Sequence, residues 1–418
     1  MALAVAVVAA GMPLLSACGA SVDRSAAPSP AAPAVLGQDW GRTTEVVERP
    51  EEAFASNDPQ YLLPVGSGRS GHPTHFPGQA MMADVLRGPS GYVSVGTVYP
   101  GWHPVSWTSS DGEIWELHRF GTVDFTFPVA SAMSADGPIV AVGRSGAKPI
   151  AWTSPDGATW TEHVVPMLGT AGERERMTAV VAGPGGFVAG GSVGPETLGR
   201  HARFWRSTDG STWTPVADDA TAFADAEVRS IVWTGSGYVA VGLLGDAFRP
   251  TGSVAWTSPD GGHWTRVDAP ALKTGRTVSL VVTPQGGLLA VGAGLDQEEA
   301  LVWTSPDGRE WTQVPGEASR RHAGTIRMND VTLMNGLYVA VGDYAVLQYA
   351  TMIVWTSTDG LHWEKAHEVP VFQQSEAYAV TSGPVPGPDG SPVPGLVAVG
   401  SYGNPDNYIP TVWLSPAH

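Results

Sequence analysis

The sequence predicts an all-β protein, a seven-bladed β-propeller of four-stranded antiparallel blades. Three observations carry that expectation. The heptapeptide Ser-x-Asp-Gly-x-x-Trp occurs six times, at Ser109–Trp115, Ser154–Trp160, Ser207–Trp213, Ser258–Trp264, Ser305–Trp311 and Ser357–Trp363, with its Asp residues 45 to 53 positions apart. A unit recurring on that scale is one supersecondary motif arranged around an axis. A second Trp stands eight residues before each of these, at Trp107, Trp152, Trp205, Trp256, Trp303 and Trp355, with a seventh of the same series at Trp413. Gly (52) and Pro (35) are frequent in the 418 residues and break the chain into short β-branched runs, the pattern of many short strands joined by tight turns.

Blade 4 gives the reading of one unit. Its runs are Val228–Trp233, Tyr238–Gly242, Val254–Thr257 and Trp264–Val267, with a Gly-rich turn at Gly235–Gly237 and the Asp-Gly turn before the last run. Asp-Gly suits a tight hairpin because Gly tolerates positive φ and the Asp side chain accepts backbone N–H groups within the turn. A residue repeated in every unit is structural, so both Trp series are expected to pack between neighbouring blades.

The blades then fall at 80–120, 129–165, 176–217, 227–268, 276–315, 326–369 and 376–414. After Trp413 only Leu414-Ser-Pro-Ala-His418 follows. Leu36–Val47, whose Gly37-x-x-Trp40 matches half of the box, is expected to supply the last strand of blade 7 from the outside. That strand closes the ring and removes the free sheet edges that invite aggregation. The propeller thus spans 36–418. Residues 18–35 are small residues and Pro, unable to bury a core and suited to a semi-extended tether.

Residues 1–17 form an apolar run ending Leu15-Ser-Ala before the only cysteine, Cys18. This start resembles the signal sequence and lipobox of bacterial lipoproteins. The resemblance implies removal of 1–17, a lipid on Cys18, and an extracytoplasmic protein held at the cell membrane. An ordinary secretory signal with Cys18 unmodified is the alternative. The heptapeptide resembles, one residue tighter, the Asp-box (BNR repeat) of sialidase-like propellers. That resemblance implies the same fold, with the boxes structural and on the rim away from the ligand site. The sialidase Arg-Ile-Pro motif does not occur, and no Tyr–Glu nucleophile pair is assignable from the sequence, so no residue is carried over as catalytic.

Acid exceeds base by 40 to 23, for a net charge of −17, which argues against a sequence-independent grip on nucleic acid. The histidines lack metal-ligand spacing, though His72 and His75 are close together, and no phosphate loop or nucleophile elbow is present. No cofactor and no metal are expected. With the boxes on one rim, the opposite mouth carries the loops between second and third strands and the connections between blades. Aligned first strands bring Met81, Pro128, Arg176, Glu227, Arg276, Arg327 and Glu376 to that mouth, three positions before Asp84, Ser131, Ala179, Ser230, Ser279, Asp330 and Ala379. Arg176, Arg276 and Arg327 with Glu227 and Glu376 form either an anionic-ligand site, since guanidinium groups grip carboxylate or sulfate oxygens in pairs, or a belt of ion pairs, Arg176–Glu227–Arg276 and Arg327–Glu376. Trp102, Tyr344, Tyr349, Tyr402 and Tyr408 lie in the mouth loops as an aromatic sector for a sugar or protein, or as loop packing. Arg320-Arg-His322 reads as a solvated basic loop.

The expectation is a monomeric, lipid-anchored binding or scaffold module for a glycan or envelope protein. Two alternatives stand beside it. One is a sialidase-like glycoside hydrolase acting on an anionic sugar, with two of Asp84, Glu227, Asp330 and Glu376 as its carboxyl pair. The other is an assembly factor for a membrane protein complex.

Overall fold

The computed structural model describes residues 41–43, 46–48 and 80–416, apart from 100, 136, 170–171, 196–199, 246–248, 317–323, 347–348, 367–371, 388 and 405–406. Cys18, the tether, Leu36–Trp40, His72, His75 and Arg320–His322 lie outside the described residues, as do the side chains of Tyr349 and Tyr408.

Seven sheets of consecutive strands make seven blades. Blade 1 is Ala80–Gly88, Gly91–Val98, His103–Ser109 and Trp115–Arg119. The first strand of each blade packs against the first strand of the next, and blade 7 packs back on blade 1, so the first strands line a central channel. A 3-10 turn forms at Pro270–Thr274.

Blade 7 consists of Ser375–Pro386, Pro392–Asn404 and Asn407–Pro416. Gly41–Thr43 completes it from the outside, antiparallel, with Gly41 opposite Leu414 and Thr43 opposite Val412. The N-terminal strand does not continue to Val47 in this blade, as the sequence suggested. Val46–Glu48 crosses to blade 1 and pairs parallel with Trp115–Leu117, giving that blade a fifth strand. One short segment therefore joins the last blade to the first.

Each box folds alike. In blade 3, Asp209 Oδ1 accepts the backbone N–H groups of Ser211 and Thr212, both at 2.8 Å. Ser207 Oγ accepts Gly210 N–H at 2.8 Å, and Trp213 Nε1 donates back to Gly210 O at 2.9 Å. The box Gly has positive φ, 77° at Gly210. A Cβ there would lie 2.4 Å from Val140 of blade 2, and one on Gly157 would lie 2.4 Å from Val93 of blade 1. Glycine is thus required twice over, for the turn and for the approach of the neighbouring blade.

The inner Trp series is fully buried, and two of the outer series stack on a ring of the preceding blade. Trp264 of blade 4 stacks on Phe204 of blade 3 with centroids 4.0 Å apart, and Trp160 of blade 2 stacks on Phe120 of blade 1 at 5.0 Å. Trp233 is half-buried against the same core, 4.8 Å from Tyr238.

Candidate functional site

Every first strand carries a β-bulge at one level. The unpaired residues are Ala83, Val129, Thr178, Arg229, Val278, Asn329 and Tyr378. A bulge re-aims side chains at the end of a strand, here at the channel mouth. The bulge also fixes the true alignment. In blade 2 the residue equivalent to Arg176 and Glu227 is Phe127 rather than Pro128, and the equivalent of Asp84 is Ala130 rather than Ser131. Sequence spacing missed this by one because the bulge adds no recognisable residue type.

Asp84 and Asp330, three positions deeper, are clasps between blades. Asp84 Oδ2 accepts Ser131 N–H at 2.6 Å and Ser131 Oγ–H at 2.7 Å. Asp330 accepts Ser279 Oγ–H at 2.6 Å and Val380 N–H at 2.8 Å. Both side chains are buried. Burial, with Asp330 adding like charge, pushes Asp84 up to about 8 against the pull of its Ser131 bonds.

At the mouth, Glu227 is enclosed by arginines. Arg176 and Arg200 both pair with its Oε2, and Arg229 Nη2 lies 3.3 Å from Oε1. Burial alone would raise Glu227, but Arg176, Arg229 and Arg200 outweigh it and hold the carboxyl well below the usual range. The same burial, only partly offset by Glu227, lowers Arg229 to about 10. Of the expected belt, the Arg176–Glu227 pair forms, whereas no hydrogen bond or ion pair joins Glu227 to Arg276 among the described residues.

Arg276 instead stands between like charges. Burial and then Arg327 lower its pKa, and it depresses Arg229 in turn. No hydrogen bond or ion pair holds its guanidinium among the described residues. Arg327 pairs with Asp343 rather than Glu376, Nε to Oδ1 at 2.9 Å, because Asp343 lies directly across the strand pair from it. Glu376 accepts Tyr378 Oη–H at 2.9 Å, and the same hydroxyl meets Ser401 Oγ at 2.8 Å. Burial and the neighbouring Asp343 raise Glu376 against the pull of Arg327. A hydrogen-bonded Tyr–Glu pair therefore exists at the mouth, two positions apart on one strand, a spacing that places both side chains on the same face.

A small, open cleft lies beside Glu227, between blades 2 and 3. Its lining includes Arg144, Arg174, Arg176 and Arg200 with Glu175 and Ser192. The sequence reading found only Arg176 here. Arg174, two residues before Arg176 on the same strand, and Arg229, the bulge residue, were the available signals. Of the aromatic sector, Tyr344 and Tyr402 are half-buried, and Trp102 is half-buried against Phe127. Among the described side chains, Tyr99 and Phe125 are exposed aromatics of this face. Among the described residues no group of three or more His, Cys, Asp or Glu is placed to hold a metal ion.

No protein-family model and no curated protein matches the chain. Solved structures do. A Chaetomium thermophilum Sqt1, bound to the N-terminus of ribosomal protein L10, is 10% identical over 80% of this chain and 87% of that one, with a TM-score of 0.47. A subtype N10 neuraminidase-like protein of a little yellow-shouldered bat isolate is 9% identical over 80% and 94%, with a TM-score of 0.40. A thermostable family-43 glycoside hydrolase is 12% identical over 56% and 86%, with a TM-score of 0.35. These likenesses do not bear on activity.

Proposed function

We propose that the chain is an extracytoplasmic binding module, monomeric and anchored through lipid on Cys18, whose channel mouth captures an anionic group on a glycan or envelope protein. The observation that carries this reading is Arg276. A mostly buried guanidinium flanked by Arg229 and Arg327 is electrostatically unfavourable, and a bound oxyanion would relieve Arg276 and Arg229. Glu227 and Asp343, each already engaged by arginine, hold the rest of the arc in place. Calorimetric titration with sulfate and with glucuronate tests it. Binding should weaken at least about tenfold in Arg276→Ala with melting unchanged. Equal binding by wild type and variant would sink the proposal.

A second reading, a sialidase-like hydrolase of an anionic sugar, is favoured by the Tyr378–Glu376 hydrogen bond beside Arg327. Glu376, raised by burial and Asp343, would take the Tyr378 proton while Arg276 and Arg327 hold the acid group. A fluorogenic panel of anionic glycosides decides it: turnover abolished by Tyr378→Phe supports hydrolysis, and no turnover by wild type removes it.

A further inference from the structure

We infer that the rim of the mouth at blades 1 and 2 is a docking surface for an acidic protein segment that also carries apolar side chains. This rests on the reading of the mouth as an anion-binding face and names the class of ligand.

The loop entering blade 2 exposes Val123 and Phe125 by 54% and 57%, and the adjacent blade 1 loop exposes Tyr99 by 46%. Leaving such side chains in water forgoes their burial energy. The backbone adds a second cost. Phe125 and Trp102 both sit at φ 57°, a left-handed conformation that bulky residues avoid and that surrounding structure must enforce. Here it is enforced by three backbone bonds. Phe125 N–H donates to Gly101 O at 2.6 Å, Thr126 N–H to Trp102 O at 3.0 Å, and Gly146 N–H to Phe125 O at 3.0 Å. Beneath them Trp102 stacks on Phe127 at 6.1 Å. The apolar knob is therefore held rigid before any partner arrives, which lowers the entropic cost of binding.

The knob adjoins the arginine cleft. Arg144 lies 4.2 Å over the Phe127 ring and, with Gly146, lines the cleft together with Arg174, Arg176 and Arg200. Asp124, the acid within the apolar loop, faces His103 at 3.4 Å. With Glu175 in the lining and Glu227 paired to Arg176 and Arg200, the four arginines keep an excess of positive charge here in a chain carrying −17 overall, which favours an acidic partner. The apolar part selects protein over glycan. Trp102, the ring best suited to stack on a sugar, is half-buried, with Phe127 stacked on it and Tyr99 in a T-shaped contact. What projects instead is a set of aliphatic and aromatic knobs, the material of a protein–protein hot spot.

The test is selection of a phage-displayed random peptide library on the full chain, with recovered peptides titrated by fluorescence polarisation. Expected are peptides pairing Asp or Glu with bulky apolar residues, weakened about tenfold or more by Phe125→Ser, by Val123→Ser and by Arg174→Ala. Both loop substitutions are on exposed side chains, so folding is preserved. No enrichment of such peptides, or binding indifferent to Phe125 and Val123, overturns the inference, as does binding of polygalacturonate to the wild type while no peptide is selected. Sulfate or glucuronate binding at Arg276 that survives while no peptide is selected would remove the protein partner and leave the anion site standing.

Discussion

Arg229 Nη2 lies 3.3 Å from Glu227 Oε1, and the two side chains are 3% and 2% exposed. Arg229, the bulged residue of its strand, stands two positions after Glu227, a spacing that puts both side chains on one face. Burial of either charge alone would be costly, so each is present because the other is.

Removing the single acid from this cage should therefore be severe. Glu227→Gln leaves Arg176, Arg200 and Arg229 crowded without a counter-charge and is expected to cost about 3–5 kcal/mol, read as a lowered urea midpoint. The acid side follows the same group. Its folded pKa is depressed, so its stabilisation is present above the unfolded value of 4.5 and is lost as pH falls below it. Glu227→Gln should remove that part of the acid sensitivity.

Asp84 carries the opposite sign. Its folded pKa is raised from 3.8 to about 8. Its stabilisation is therefore complete below pH 3.8 and declines as pH rises toward about 8. Asp84→Asn, able to accept the Ser131 N–H in the same place, should flatten the fall in urea midpoint between mildly acidic and mildly alkaline buffer. An unchanged slope would show that Asp84 does not titrate in this range.

Gly210→Ala should destabilise by about 1–3 kcal/mol, through a positive φ unsuited to Ala and a clash with Val140 of the preceding blade. Ser211→Ala in the same turn keeps its backbone bond to Asp209 and loses only the side-chain bond to that carboxylate, so it should cost less than Gly210→Ala. Thermal melts of the pair compare the two directly.

Arg276→Ala should melt no lower than wild type, because it removes a like charge from beside Arg327 and Arg229. An unaltered melting point with lost sulfate binding marks the residue as serving ligand rather than fold.

The repeat was legible because it recurs: six boxes and two Trp series place the turns, the blade count and the outer strand of blade 7 on Leu414 and Val412. The site was legible only where it shared that period. Arg176, Glu227, Arg276, Arg327 and Glu376 stand at one alignment column, and the structure places them at equivalent ladder positions of their strands. Their pairing was not legible. Arg200 and Asp343 come from second strands or the loops after them, and Arg229 and Tyr378 from bulges. Each partner is chosen by register across strands, which spacing along one strand does not encode. The strand Val46–Glu48 was misplaced for the same reason: its parallel partner in blade 1 has no signature in a three-residue run.

The junction of Gly41–Thr43 with blade 7 and Val46–Glu48 with blade 1 also fixes how the ring responds to force. A pull on the chain before residue 41 meets the three-residue ladder on blade 7 first, and the blade 1 ladder is loaded only after it yields. The two short ladders act in series as a latch, so the propeller would open at its own closure while the six boxed blades stay intact.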